Sequence, residues 1–417
     1  MQRQRGAAAL IVTLILFFVM TLVAAYANRN NIFEQRASAN QYRATQAAEA
    51  AEAGVEWALA MLNDPRPIDE QCRPSAEDTS FRERYLHVDA VSGSQSPATW
   101  DDLGTPTTLQ AVCVRQGAGW DCSCPAAGRS VPALASEADD SPAFVVAFAS
   151  HGRPGVVSLQ ASGCTRLAGP CNAGAAAPAD ATATLHADVG LLPGLVTLPV
   201  APLTVKGSVH AGRAALGLHN GDADSGGATV QAGAEFVAAN ASLTTAPGAP
   251  VAGSIIESDA ALAAMPADRL FVAFFGLDKA QWQQHPAVAR VRCPPDCGST
   301  VLAAIADAGT NRMIWVDGDL PLRGPIRLGD PDRPVLIVCS GAARLEGPVT
   351  VHGLVYAASL SWQDGGSGPG LVRGAAISET GYWGDAAADL VYDAHVLAAL
   401  RTWTGSFVRV AGSWRDF

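Results

Sequence analysis

AAALIVTLILFFVMTLVAAYA, from Ala7 to Ala27, is 21 residues without a charge. A helix rising about 1.5 Å per residue needs roughly 20 such residues to cross the ~30 Å hydrocarbon core of a bilayer. The six residues before it, MQRQRG, carry Arg3 and Arg5. Basic residues on the short side predict an N-terminus in the cytoplasm and the bulk of the chain on the other side of the membrane. A cleaved secretory signal is the competing reading, but its apolar region usually runs only about 7–15 residues.

The helical pattern continues past the apolar run. Asn28 to Asn63 contains no Pro and a single Gly, Gly54, and is rich in Ala, Glu, Gln and Arg, all strong helix formers. Ala37, Ala44, Ala47, Ala51, Val55, Ala58 and Leu62 recur every three or four residues over much of it, which lines small side chains along one narrow stripe. Asn63-Asp64-Pro65 ends the pattern, because Pro65 disfavours the α conformation at Asp64 and has no N–H to donate. Residues 7–63 therefore read as one helix of roughly 85 Å, lipid-like in its first half and amphipathic in its second.

RQRGAAALIVTLILFF and NQYRATQAAEAAEAGVEWALAMLN resemble the N-terminal region of PilX-type minor pilins. The resemblance covers about the first 65 residues closely and the rest loosely. It implies a prepilin leader at 1–6, cut between Gly6 and Ala7 by the prepilin peptidase, and a pilin-type helix at 7–63 with 7–27 transmembrane. Most pilins carry Glu at the fifth mature position, and here that position is Ile11. A buried charge is costly unless paired, so a subunit lacking this Glu suits the first position of a filament, with nothing above it. The implied partners are other minor pilins, the major pilin, a pilus tip adhesin, the prepilin peptidase and the inner-membrane assembly platform. The implied location is the bacterial inner membrane, single-pass, and then the pilus at the cell surface.

The chain has 417 residues, long enough for two or three domains. It is 49% apolar and 16% charged, which argues against disorder. Its 41 Gly and 26 Pro show no three-residue period, which excludes collagen. A net charge of −11 argues against nucleic acid as a partner of the whole protein.

Residues 64–171 read as a small β-rich head: Leu109–Val114 is strand-like, and AFVVAFAS (143–150), HGRPG and VVSLQASG predict a hairpin. Residues 172–184, NAGAAAPADATAT, read as an Ala/Pro linker. From 185 to 417, short apolar runs separated by Gly every six to twelve residues suit a β-helix or similar solenoid, with an irregular β-sandwich as the alternative. Residues 258–291 read as a helical insertion whose Phe271, Phe274, Phe275 and Trp282 pack on that domain, and the C-terminal segment reads as a cap on the open end of the stack. The expected class is α+β: a long N-terminal pilin helix, a small β-rich head and a solenoid-like domain.

All nine cysteines follow the apolar run, so disulfides are expected if that region is periplasmic. Cys164 with Cys171 and Cys293 with Cys297 are the best local pairs. Cys72, Cys113, Cys122 and Cys124 supply two more in any of three connectivities, and Cys339, inside VLIVCSG, reads as a buried free thiol. A metal site from Cys122, Cys124, Cys293 and Cys297 lacks the usual C-x2-C spacing and nearby His. Asn220, Asp222 and Asp224 in NGDADSGG alternate oxygens as calcium loops do. The Gly there is one place late and the twelfth-position Glu is missing, so the segment reads first as a solvated turn and no other cofactor is expected. Nucleophile elbows, P-loops, HExxH and paired-carboxylate signatures are missing from any credible context, so no catalytic residues are expected and the chain reads as a structural protein rather than an enzyme. Two other readings stand beside it: a K-type minor pseudopilin of type II secretion, and a membrane-tethered carbohydrate-binding or -cleaving solenoid.

Overall fold

The computed structural model describes residues 5–76, 79–89, 92–102, 105–126, 134, 141–172, 178–213, 215–309, 311–365 and 368–416. Helix α1, Arg5–Asn63, is continuous, and the chain leaves it at Asp64-Pro65. Its second half buries the small-residue stripe: Ala47, Ala51, Val55, Ala58 and Leu62 are inaccessible or nearly so. Burying Val55 and Leu62 is worth about 1.5–3 kcal/mol each. The alanines matter for a different reason, which is that they let a sheet approach the helix backbone. A Cβ on Gly163 would run into the Ala47 carbonyl and the Ala51 amide, and one on Gly54 would press on Phe144 and Ala161.

That sheet has six antiparallel strands in the order Gly405–Arg409, Thr182–Pro193, Val156–Cys164, Ala143–Ser150, Gln110–Gln116, Gly119–Ser123. The predicted hairpin is its centre, with Ala143 opposite Cys164 and Ser150 opposite Val157. Trp57 of α1 fits between Phe81 and Phe144, with ring centroids 5.4 and 5.6 Å away.

Two strands of this sheet correct the domain boundaries read from the sequence. Residues 182–184, assigned to a linker, begin a long strand that pairs with Val156–Cys164 and turns Leu185, Ala187 and Val189 into the core shared with α1. Residues 173–177 of the expected linker lie outside the described residues. Gly405–Arg409 then pairs antiparallel with Val189–Pro193. The head is thus built from both sides of the chain, and residues 194–404 are inserted between two adjacent strands of its sheet.

The insert is a stack of parallel strands, three to a coil where it begins. Its coils are not laid down in sequence order. Leu203–Val205, Val209–Ala211 and Leu216–His219 form one coil, on which Val230–Ala232, Phe236–Ala238 and Ser242–Thr244 stack. The chain then passes through three helices to the far end and begins again at Val288–Arg292. From there it climbs through Met313–Asp317, Val335–Glu346, Val349–Gln363 and Gly370–Ser378. The last coil, ending in Tyr382–Gly384 and Ala388–Val391, lands on the other side of the first one. The stack is entered and left at its middle, beside the head. Side chains alternate in and out along each short strand, so Leu203, Val230, Val316, Leu345, Val355, Trp362 and Leu390 fill one continuous interior.

The expected helical insertion at 258–291 proves shorter. Helices α2 (Phe81–Tyr85, in the head), α3 (Ala260–Ala264), α4 (Ala267–Phe275) and α5 (Lys279–Gln283) are followed by strand Val288–Arg292. VARVR alternates apolar and charged residues at period two and pairs with Met313–Asp317, and this strand pattern overrode helix. As anticipated for the aromatics, Phe271, Phe275 and Trp282 are fully buried, packed on Tyr356 and Trp315. The C-terminal segment is not a cap. Helix α7 (Ala394–Trp403) lies on the outer side of the same face with Leu397 and Leu400, and the following strand joins the head. It is α6 (Gly298–Asp307) that closes one end of the stack, inserting Val301 and Ile305 into its interior.

Arg82 fastens the insert to the head. It is 2% exposed and donates to the Leu62 carbonyl at the end of α1, to Asn311 Oδ1 in the insert, and to the carbonyls of Trp403 and Gly405. The guanidinium also stacks 4.7 Å from the Phe407 ring. Burial lowers its pKa to about 10, so it remains charged at neutral pH.

Candidate functional site: the exposed half of the long helix

Among the described residues, nothing packs on the first half of α1. Every described side chain from Ala9 to Thr45 is exposed, among them Leu10, Phe17, Phe18, Met20 and Tyr26. In water this patch would carry a large penalty, since monomeric soluble proteins rarely expose more than a few hundred Å² of contiguous apolar surface. The two threonines of the apolar run are satisfied within the helix: Thr13 and Thr21 donate their hydroxyls to the carbonyls of Leu10 and Phe18, at 3.0 and 2.8 Å. A helix with its backbone and hydroxyls paired internally is one of the few structures that can stand in lipid. The span Ala9–Asn63 contains a window long and apolar enough to cross a membrane.

Gly6 and Ala7 lie in the first turn of α1, and Ile11 lies one turn further on, 57% exposed. Where the helix reaches the head, a groove of about 370 Å³ opens between Tyr42, Gln46 and Glu49 on α1 and Arg115 and Trp120 on the outer hairpin.

Residues 5–56 match a family model, the PilX N-terminal domain. Over this segment the chain is similar to the N-terminal domain of PilX-type pilins. The match runs over the exposed half of α1 and most of the half that packs on the head, and it is consistent with a type IV pilus-related pilin. No curated protein and no solved structure matches it significantly.

The cysteines form four disulfides among the described residues: Cys72–Cys124, Cys113–Cys122, Cys164–Cys171 and Cys293–Cys297. Cys113 and Cys122 face each other across neighbouring strands, a relationship that spacing alone left open. Cys339 is a free, buried thiol whose pKa is pushed up to about 12 by burial. The bonded pairs put Cys122 and Cys124 apart from Cys293 and Cys297, which overturns the four-cysteine metal alternative.

The calcium candidate resolves into a hydrogen-bonded loop. Asn220 is buried, and its amide donates to the Val200 and Ala228 carbonyls and to Ser225 Oγ. Its Oδ1 is taken by the Asp222 amide and the Ser225 hydroxyl, while Asp222 accepts from the Ser225 amide at 2.8 Å. Two of the three candidates are thereby committed to shaping the turn, and no group of three or more His, Cys, Asp or Glu suited to a metal occurs among the described residues. Among the histidines, His151 lies 3.5 Å from Asp188 and His352 accepts from Arg327 at 3.1 Å.

One arrangement had no sequence signal. Thr244, His219 and Asp389 come from three separate strands and form a line, 3.0 Å from Thr244 Oγ1 to His219 Nδ1 and 3.5 Å from His219 Nε2 to Asp389 Oδ1. Gly217 leaves the room for it, since a Cβ there would strike the Asp389 carboxylate. The carboxylate is half exposed and solvated, so it orients the ring without strongly polarising it.

Proposed function

We propose that this chain is a minor pilin of a type IV pilus. In this reading it is inserted in the inner membrane with its N-terminus cytoplasmic, cut after Gly6, and drawn into the filament base-first by α1. The observation that carries it is the division of α1 into a bare apolar half and a half locked to the head. Such a helix needs lipid before assembly and neighbouring helices afterwards. Ile11 in place of an acid supports a position at the tip or in an initiating complex, because nothing on this helix pairs with the amine of a subunit above it. The inserted stack supports the same position, being too large to repeat along a tightly packed shaft. Partners on this reading are other minor pilins, the major pilin, a tip adhesin, the prepilin peptidase and the assembly platform. The role is structural and involves no catalysis.

The test is mass spectrometry of the mature N-terminus in cells with and without the prepilin peptidase. The expected product begins at Ala7 only when the peptidase is present. An intact Met1, or a cut near Ala25–Ala27 by an ordinary signal peptidase, would refute the reading.

A further inference from the structure

We infer that the outer face of the inserted stack, around Trp383, binds a neutral glycan. Four outward side chains lie side by side there, because strand register places Val237 beside His210, His210 beside Trp383 and Trp383 beside Ser361. With strands about 4.8 Å apart, the row extends roughly 14 Å. It forms the floor of a groove of about 390 Å³ whose rim carries Gln363 and Asp385. Trp383 is 46% exposed, whereas Trp282 and Trp362 are fully buried. No aromatic ring or cation packs against its indole among the described residues.

The chemistry of this groove selects its occupant. A flat indole flanked by an amide, a hydroxyl and a carboxylate matches a sugar ring, which has a C–H face and a rim of hydroxyl donors. The ionisable groups favour a neutral ligand. Asp385 is exposed at the rim, and Glu235 lies 3.8 Å from His210 and offsets any charge on it. The next side chain along the row is Arg344, which Asp319 holds at 2.6 Å. With Asp385 on the rim, Glu235 beside His210 and the guanidinium next along the row already paired, an acidic polymer is disfavoured, while hydroxyls would find acceptors. The groove lies in the stack, so this inference stands independently of how α1 is used.

The test is a tryptophan-fluorescence titration of the full chain in a sugar-free detergent. The probes are cellopentaose, maltopentaose, penta-N-acetylchitopentaose and, as the acidic comparison, penta-galacturonate. At least one neutral probe is expected to bind saturably. Trp383→Ala should weaken it tenfold or more, Asp385→Asn severalfold, and Trp383→Phe, which keeps a ring, only a few-fold. Trp414→Ala, removing an exposed indole on the head, should leave binding unchanged, as should a Gly6 variant that blocks processing. Failure of every neutral probe, tighter binding of the galacturonate, or binding that survives Trp383→Ala would overturn the inference.

Discussion

The side chain of Asn63 pairs with the backbone of Phe407 as a neighbouring strand would. The Phe407 amide donates to Asn63 Oδ1 at 2.7 Å, and Asn63 Nδ2 donates back to the Phe407 carbonyl at 2.9 Å, across 344 residues of chain. Gly405–Arg409 is the edge strand of the head sheet, and an unpaired edge invites pairing with another chain. The last residue of the long helix covers part of that edge. Asn63→Ala should cost about 1–3 kcal/mol, the usual penalty for leaving buried polar groups unpaired. Asn63→Asp should cost at least as much, because a carboxylate cannot donate to the carbonyls of Leu59 and Phe407. Urea melts of the two variants check this ordering.

Arg82 joins the end of α1, the insert and the returning strand with four hydrogen bonds. Arg82→Met keeps much of the volume but removes the guanidinium donors of three carbonyls and leaves Asn311 Oδ1 with only the Gly405 amide, and a loss of about 3–5 kcal/mol is expected. Arg82→Lys should recover little of it, since an ammonium lacks the planar fork that reaches all four acceptors. Limited proteolysis gives a second readout: both variants should release the inserted domain faster than the parent.

The approach of sheet to helix at Gly163 predicts a sharp contrast between two glycines. Gly163→Ala forces the strand off the backbone of Ala47 and Ala51 and should cost about 3 kcal/mol. Gly221→Ala, where nothing lies within 4 Å of the added carbon, should be near neutral. Equal melting temperatures for the two variants would refute the packing argument.

The disulfides should differ in weight. Cys72–Cys124 closes 52 residues and Cys293–Cys297 only 4. On the chain-entropy account the first constrains the unfolded state by about 4 kcal/mol and the second by about 2 kcal/mol. Replacing each pair by Ala and comparing unfolding midpoints checks the ranking.

Alkaline pH should destabilise the chain. Burial raises the phenol pKa values of Tyr85, Tyr356 and Tyr382 well above the ordinary 10, and that of Tyr392 to about 12. Above about pH 10 an unfolded chain releases protons that these phenols keep, so the folded state binds more protons and stability falls as pH rises. Arg82 acts with the opposite sign. Its folded pKa of about 10 lies below its unfolded value, so its contribution rises with pH over the same range. Four phenols against one guanidinium predict a net loss between about pH 10 and 12. A urea midpoint that drops over this range, with a shallower drop in Tyr382→Phe, is the expected result.

Much of this architecture was legible in local patterns. The small-residue stripe from Ala47 to Leu62 forecast the face of α1 that packs, and Pro65 its end, because helix periodicity and the missing N–H act over a few residues. The run 143–150 and its partner were readable as a hairpin because a Gly-rich turn joins them directly. The groove at Trp383 was not. Val237, His210, Trp383 and Ser361 come from separate coils; the first three sit in three-residue strands too short to show alternation, and Ser361 lies near the end of the long strand Val349–Gln363.

The amino-acid sequence by itself determined the long helix, its division into lipid-like and packing halves, the Gly-punctuated strands and the local cysteine pairs. Each depends on residues within a turn or a hairpin of one another. Only the tertiary structure decided that Thr182–Pro193 and Gly405–Arg409 belong to the head, that the stack is inserted between them, and that its last coil docks on its first. Short parallel strands carry no local signal for their neighbours. Which coil meets which is settled by the shared interior they bury and by the side chains that fix the junction, Arg82 and Asn63.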